Sequence, residues 1–225
     1  MTDFENRPVL IVLAGGSGQR YGGDKLLAPV GGRPVVAYPL ANLAPAAKRT
    51  VLVVPAGREE EFRRVAEKYA PRAEILVVAG GATRFESVRC GLAAASSLDD
   101  ELVAVHDAAR PLATTELLRE LCRRAREVGG AVPGFPQSDA QKRVDANGVI
   151  AEDLPREGVW NVGTPQVFRA ELLKRACREA DTGVLDDAEA VRRAGGTVAV
   201  VRSDAPNPKL TAPGDLHLIE VLRSE

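Results

Sequence analysis

The chain has 225 residues, 30 lysines and arginines against 31 aspartates and glutamates, 4% aromatic residues and three cysteines. This length suffices for a full hydrophobic core in one domain, and the balanced charge with few rings excludes a nucleic-acid surface of basic patches and stacking platforms. Cys90, Cys122 and Cys177 lie far apart and are odd in number, which excludes a disulfide framework or a zinc site and points to a reducing cytoplasm.

Short apolar runs rich in β-branched residues predict strands at Val9–Leu13, Thr50–Val54, Ile75–Val78, Leu102–Val105 and Val198–Val201. Helical spacing between them predicts helices at Val35–Leu43, Glu59–Tyr69, Ser87–Ala95 and Thr115–Val128, the last stopped by Gly129 and Gly130 as a C-cap. This alternation implies an α/β fold, a mostly parallel sheet with helices on both faces. From Pro136 to Trp160 charged residues break the pattern, and the Asn147-Gly148 pair between Val144 and Ile150 suits a hairpin turn. The segment reads as a protruding β-arm that packs on a second copy of the chain, the alternative being an ordinary surface loop. Helices near Arg169–Glu179 and Asp187–Ala194 follow. A final helix is expected after Thr211, with Pro213 in its first turn and Asp215 at the positive end of its dipole. No apolar run reaches the ~18 residues of a membrane span, and MTDFENRP lacks the basic start and apolar core of a signal peptide, so a soluble protein is expected.

Directly after the first strand stand Ala14, Gly15, Gly16, Ser17, Gly18, Gln19 and Arg20, then Gly22, Gly23 and Lys25. Glycines let the main chain approach an oxyanion, successive N–H groups form a phosphate nest, and Arg20 and Lys25 add charge where triphosphate charge shifts. The P-loop ending Gly-Lys-Ser/Thr is missing. Tyr21 replaces the third glycine of the dinucleotide fingerprint, and Val54-Pro55-Ala56 offers no acid after the second strand. The alternative is a glycine-rich turn with no ligand.

A second constellation, His106-Asp107-Ala108-Ala109-Arg110-Pro111, falls at the carboxyl end of another strand, on the same sheet edge. Asp107 is a candidate Mg²⁺ ligand, because that ion is held by one or two carboxylates plus phosphate and water. The competing reading is an Asp107–Arg110 ion pair across a turn, and His106 reads equally as a packed strand-end residue. Arg110, Lys142, Arg143, Arg156 and Lys209 fall at loops or element ends, each alone an ordinary surface charge.

The motifs AGGSGQR, GGATRFESVRCGL, VHDAARP, GTPQVF, LDDAEAV and NPKLTAPGDL run almost end to end through the chain. With them it resembles the 2-C-methyl-D-erythritol 4-phosphate cytidylyltransferase family of the non-mevalonate isoprenoid pathway. The resemblance implies a Rossmann-like domain, a β-arm interlocking two subunits, CTP and methylerythritol phosphate as substrates, and a divalent metal, usually Mg²⁺. It places nucleotide contacts on Ala14, Gly15, Gly16, Gly18, Gly81 and Ser87, the last two suited to the cytosine edge. Arg20 and Lys25 match the pair that stabilises the pentavalent transition state. Asp107 matches the aspartate near metal and sugar phosphate, while Arg110, Thr164, Arg156 and Lys209 match residues that hold the acceptor, Arg156 serving the partner's site.

The chain departs from the family at four places. Asp24-Lys25-Leu26 stands for Pro-Lys-Gln, which is closer to molybdenum-cofactor nucleotidyltransferases; Ala140 takes the place of a threonine in the arm; Pro208 gives NPK for NIK; Gly163 replaces a glutamine. A ribitol-phosphate cytidylyltransferase is a neighbouring alternative, although that family usually carries Asp-Ser-Val-Arg-Pro where this chain has Asp107-Ala108-Ala109-Arg110-Pro111. Ala140 and Asp24 also motivate a catalytically silent nucleotide-binding module.

Overall fold

A computed structural model describes residues 7–15, 21, 23–95, 101–179, 183–203 and 205–224. The chain opens with β1 (Val9–Leu13), a two-residue hairpin of β2 (Pro29–Val30) and β3 (Arg33–Pro34), α1 (Ala37–Leu43) and β4 (Arg49–Val54). It continues through α2 (Glu59–Tyr69), β5 (Ile75–Ala79), α3 (Arg84–Ala94), β6 (Leu102–Asp107) and α4 (Thr115–Val128). Next come β7 (Gly130–Pro136), β8 (Gln141–Val144), β9 (Ile150–Leu154), β10 (Trp160–Val162) and β11 (Gln166–Arg169). The remaining elements are α5 (Ala170–Glu179), α6 (Asp187–Arg193), β12 (Val198–Arg202) and α7 (Asp215–Ser224).

The main sheet runs β10-β7-β11-β6-β1-β4-β5, with β12 also paired to β7. β5, β4, β1 and β6 are mutually parallel, β11 is antiparallel to both β6 and β7, and β12 is parallel to β7. The α/β, mostly parallel expectation therefore holds, with β10 and β11 as the reversed strands. The central strands are buried on both faces, and their pleat sorts the core. Leu10, Val12, Leu52, Val54, Leu102 and Ala104 pack with α1, α2, α4 and α7, whereas Val9, Ile11, Val51, Val53, Val103 and Val105 pack with α3, α5 and α6.

Several boundaries differ from the sequence reading for local reasons. α3 begins at Arg84, not Ser87, because Thr83 and Glu86 close a capping box: Glu86 N donates to Thr83 Oγ1 (3.1 Å) and Thr83 N to Glu86 Oε2 (3.0 Å). Gly129 alone ends α4, at φ +111, and Gly130 already opens β7. β7, sequence GAVPGFP, escaped the sequence reading because Pro133 and Gly134 look like breakers; Gly134 is needed because a Cβ there would meet Val200 Cγ1 at 2.8 Å. Arg169 belongs to β11, so α5 starts one residue later than expected. Pro213 precedes α7, and Asp215, its first residue, accepts from the N–H groups of Thr211 (2.7 Å) and Ala212 (2.8 Å).

Within the predicted arm, β8 and β9 form a two-stranded sheet of their own, every residue of it exposed or half-buried. Its turn is closed by Gly148 N donating to Asp145 O (3.1 Å), with Gly148 at φ +80, a value glycine adopts without strain. Arg143 pairs with Glu152 (2.8 Å) and Lys142 with Asp153 across the strands. All three cysteines are unpaired, and burial pushes the thiols of Cys122 and Cys177 up to about 12.

Candidate active site

The chain runs outward from β1 through β4 to β5, then returns to the other side of β1 as β6, which makes the β1/β6 boundary a topological switch point. Leu13 pairs with Asp107 there, and Ala108 N donates to Leu13 O (3.0 Å). Ala14-Gly15 and the Asp107 segment thus leave the sheet side by side.

One wall of the site is a cleft of about 570 Å³ lined by Gly15, Val54, Arg58, Gly80, Gly81 and Ser87, among others. Ser87 is buried and its hydroxyl donates to Thr83 O (3.0 Å), which leaves its oxygen lone pairs as acceptors. Gly80 and Gly81 are sterically required: a Cβ would lie 2.7 Å from Ser87 Oγ at the first and 2.3 Å from Glu86 Cβ at the second. Ala14 is buried and uses its N–H on Val53 O (2.7 Å), so its carbonyl is the group left for a ligand. Gly16, Gly18 and Arg20, expected in the phosphate nest, lie outside the described residues.

On the other side, Asp107 is nearly buried and accepts from two cations: Lys209 Nζ on Oδ2 at 2.7 Å and Arg84 Nε on Oδ1 at 3.2 Å. Burial opposes its charge, but Arg84 and Lys209 outweigh it and hold the carboxyl well below the usual range, so Asp107 is an anion at neutral pH. Arg84 also reaches the fully buried Asp187 (Nη2 to Oδ2, 2.9 Å). The Asp107–Arg110 ion pair of the competing reading does not form. Arg110 makes only the backbone turn, its N donating to Asp107 O (3.0 Å), while its Nη1 donates to Asn207 O (2.8 Å).

Thr164 is buried, and its hydroxyl oxygen accepts from Asp107 N and meets His106 Nδ1, both at 3.1 Å. It therefore anchors the Asp107 backbone from below. His106 is fully buried, and Nε2 faces the carbonyl of Arg110 (3.0 Å), an acceptor, which assigns the proton to Nε2 and leaves Nδ1 to accept from Thr164. Asn207 ties the loop after β12 to the site, with Leu112 N donating to its Oδ1 (3.0 Å) and its Nδ2 to Thr164 O (3.3 Å). Lys25 Nζ donates to Leu210 O (3.1 Å), next to Lys209.

A second cavity, about 250 Å³, is lined by Arg110, Phe135, Asn161, Gly163, Thr164 and Asn207, among others. Arg110 Nε is buried without a hydrogen-bond partner. A Cβ at Gly163 would sit 3.4 Å from Arg110 Nη1, so the glycine leaves the guanidinium uncovered. Lys209 and Thr164 contact Asp107, Arg110 joins them through Asn207, and Lys25 reaches the loop beside Lys209. Arg156 stays apart: it is exposed and bonds Ser138 O (3.0 Å) at the arm's base. Sequence reasoning missed Arg84, Asn207 and Asp187, although each lies in a motif already quoted.

Burial holds the His106 pKa down to about 4 from 6.5. The folded state keeps it neutral while the unfolded chain takes up a proton below 6.5, so this stability is full above pH 6.5 and is lost as pH falls toward 4. Denaturant unfolding at pH 7 and pH 4 should show wild type losing about 3 kcal/mol more than His106→Gln. Equal losses would contradict a buried neutral imidazole.

The sequence profile described as 2-C-methyl-D-erythritol 4-phosphate cytidylyltransferase (IspD) matches residues 9–224. A protein of that name from Bacillus licheniformis is 38% identical over 220 residues, covering 95% of this chain and 94% of that one. The crystal structure of 4-diphosphocytidyl-2C-methyl-D-erythritol synthase from Anaerococcus prevotii superposes with a TM-score of 0.82 at 26% identity, covering 98% of this chain and all (100%) of the other. That of 2-C-methyl-D-erythritol 4-phosphate cytidylyltransferase from Thermus thermophilus gives 0.77 at 33%, covering 97% and 99%. With its switch-point cleft, its paired Asp107 and likeness along nearly its whole length, the chain belongs to the 2-C-methyl-D-erythritol 4-phosphate cytidylyltransferase family.

Proposed function

We propose that the chain transfers the cytidylyl group of CTP to the phosphate of 2-C-methyl-D-erythritol 4-phosphate, releasing pyrophosphate, in non-mevalonate isoprenoid biosynthesis. The observation that carries this reading is Asp107, held anionic between Arg84 and Lys209 at the switch point, with a glycine-walled cleft on one side and the Arg110 cavity on the other.

In this reading the base enters the cleft, where narrow glycines and the Ser87 oxygen admit a pyrimidine edge; Gly15, the Ala14 carbonyl, Gly16 and Gly18 line the nucleotide's path. The acceptor's phosphate oxygen attacks the α-phosphorus in line, and pyrophosphate departs. A phosphate monoester is already an anion, so the protein supplies no nucleophile; it positions two repelling anions and neutralises growing charge. Arg20, Lys25 and Lys209 supply that charge. Arg110, with its unpartnered buried Nε, takes the acceptor phosphate, Asp107 takes the acceptor's hydroxyls, and Thr164 holds Asp107 in place.

Mg²⁺ suits this donor set. One anionic carboxylate, each of whose oxygens has a single side-chain donor here, matches an ion held by one or two carboxylates together with phosphate and water. Asp107 would hold it, and the ion supplies charge neutralisation at the phosphates.

We further propose a cytoplasmic homodimer in which residues 1–225 act as one domain and 136–160 embrace the partner. Of twelve exposed large apolar side chains among the described residues, seven (Phe135, Val144, Val149, Ile150, Val159, Trp160 and Val162) lie in the arm or its root. A bare two-stranded hairpin is marginal in water, so this surface calls for a second copy.

Pyrophosphate release from CTP and Mg²⁺ is the test, run in parallel with methylerythritol phosphate and ribitol 5-phosphate. Release with the first acceptor alone is expected. Release only with ribitol phosphate would reassign the acceptor, and CTP binding without turnover on either would leave a silent binding module.

A further inference from the structure

Three motifs, GGATR, TPQ and LDDAEAV, meet behind the site around Asp187, which itself lines neither proposed substrate cavity. This residue is fully buried at the start of α6. Its one ion pair among the described residues is with Arg84, and neither of its oxygens has a hydrogen-bond partner. An isolated buried carboxylate costs several kcal/mol, and replacement by apolar side chains often stabilises such sites. Core packing therefore does not account for an acid here.

We infer that Asp187 is a positioning residue for the transfer: by engaging Arg84 it fixes how Asp107 is presented to the substrates. The inference rests on the role proposed for Asp107. A guanidinium left to itself closes on a carboxylate with two parallel bonds. Arg84 does not, because its Nη2 is held 2.9 Å from Asp187 and only Nε reaches Asp107, at 3.2 Å. Asp107 consequently keeps acceptor capacity on both oxygens, one side-chain donor on each. Burial pushes the Asp187 carboxyl up against the pull of Arg84, so its part is geometric: an oxygen 2.9 Å from Arg84 Nη2. Without Asp187, Arg84 would be free to turn both nitrogens on Asp107 and take up the acceptor capacity that hydroxyl donors or cations need.

The anchor is rigid. Asp186 caps α6 by accepting from Glu189 N (2.8 Å) and takes a bond from Gln166 Nε2 (3.0 Å), while Gln166 Oε1 accepts from Ala188 N (3.1 Å). Gln166 lies two residues past Thr164, whose hydroxyl holds Asp107 N. Backbone and side chain of Asp107 are thus both referred to the same helix start, one through Thr164 and the other through Arg84.

The test compares Asp187→Asn, which keeps shape and removes charge, with Arg84→Lys, which keeps charge and removes the fork. Both should lower kcat roughly 10- to 100-fold, the range for groups that orient a functional ligand, with Kd for CTP, by calorimetry, within twofold of wild type. In an Asp107→Asn background, adding Asp187→Asn should cost less than a further twofold, because its effect passes through Asp107. Full multiplication of the two losses, or wild-type kcat in folded Asp187→Asn, would overturn the inference while Asp107 keeps its role. Should Asp187→Asn fail to fold, wild-type kcat in Arg84→Lys overturns it equally. Wild-type kcat in Asp107→Asn would remove the role of Asp107 itself, and the inference with it.

Discussion

Lys25→Ala should slow turnover about 100-fold, about 2.7 kcal/mol of transition-state stabilisation, while CTP affinity changes much less. The side chain is aimed by its neighbours. Asp24 pairs with Arg58 on the wall of the nucleotide cleft and accepts from Leu26 N (3.3 Å), and Leu26 is buried. Lys25 is left to cross to the loop that carries Lys209, where Nζ rests on Leu210 O (3.1 Å). Beside Lys209 the ammonium is placed to gain most as charge builds on the leaving pyrophosphate. Asp24, which departs from the family's proline, thereby acquires a structural task that leaves lysine chemistry intact. Single-turnover rates and calorimetric CTP affinity separate the two effects. A drop in affinity matching the drop in rate would show that Lys25 binds ground state and transition state alike.

Mixing two inactive proteins should restore activity if Arg156 serves the partner's site. A Lys25→Ala subunit still donates a sound Arg156, and an Arg156→Ala subunit still holds a sound Lys25, so every mixed dimer contains one intact site. Random exchange at equal amounts makes half the dimers mixed, and activity should recover to about a quarter of wild type. The arrangement of Arg156 motivates this: in the single chain it bonds Ser138 O at the arm's base and touches neither Asp107 nor Lys209. No recovery after verified subunit exchange would place Arg156 in its own subunit's site, or outside catalysis.

The strands β1, β4, β5, β6 and β12 and the seven predicted helices were legible because their signals are local. A run such as Val9–Leu13 is apolar at every position since both faces are covered, and α2 carries its apolar residues at helical spacing. The position of Asp107 was legible for a related reason: it ends a strand of an open α/β sheet, so its place along the chain already indicates an edge of the sheet. β7, β10 and β11 were not. β7 contains two breakers that its neighbours tolerate, and the other two are short segments that become strands only by pairing with β6 and β7.

What the sequence determined by itself was the layered α/β architecture, the sheet edge at which Asp107 stands and, by motif, the family. Tertiary structure alone decided which charges meet. Lys209 reaches Asp107 across 102 residues, Arg84 stands between two carboxylates on different elements, and Arg110, nearest to Asp107 in sequence, turns to Asn207 instead. The physical reason is range. Periodicity and capping act within a few residues and leave a trace in the sequence, whereas an ion pair depends on where two distant backbones are held by the core, and its energy falls off within ångströms of that placement.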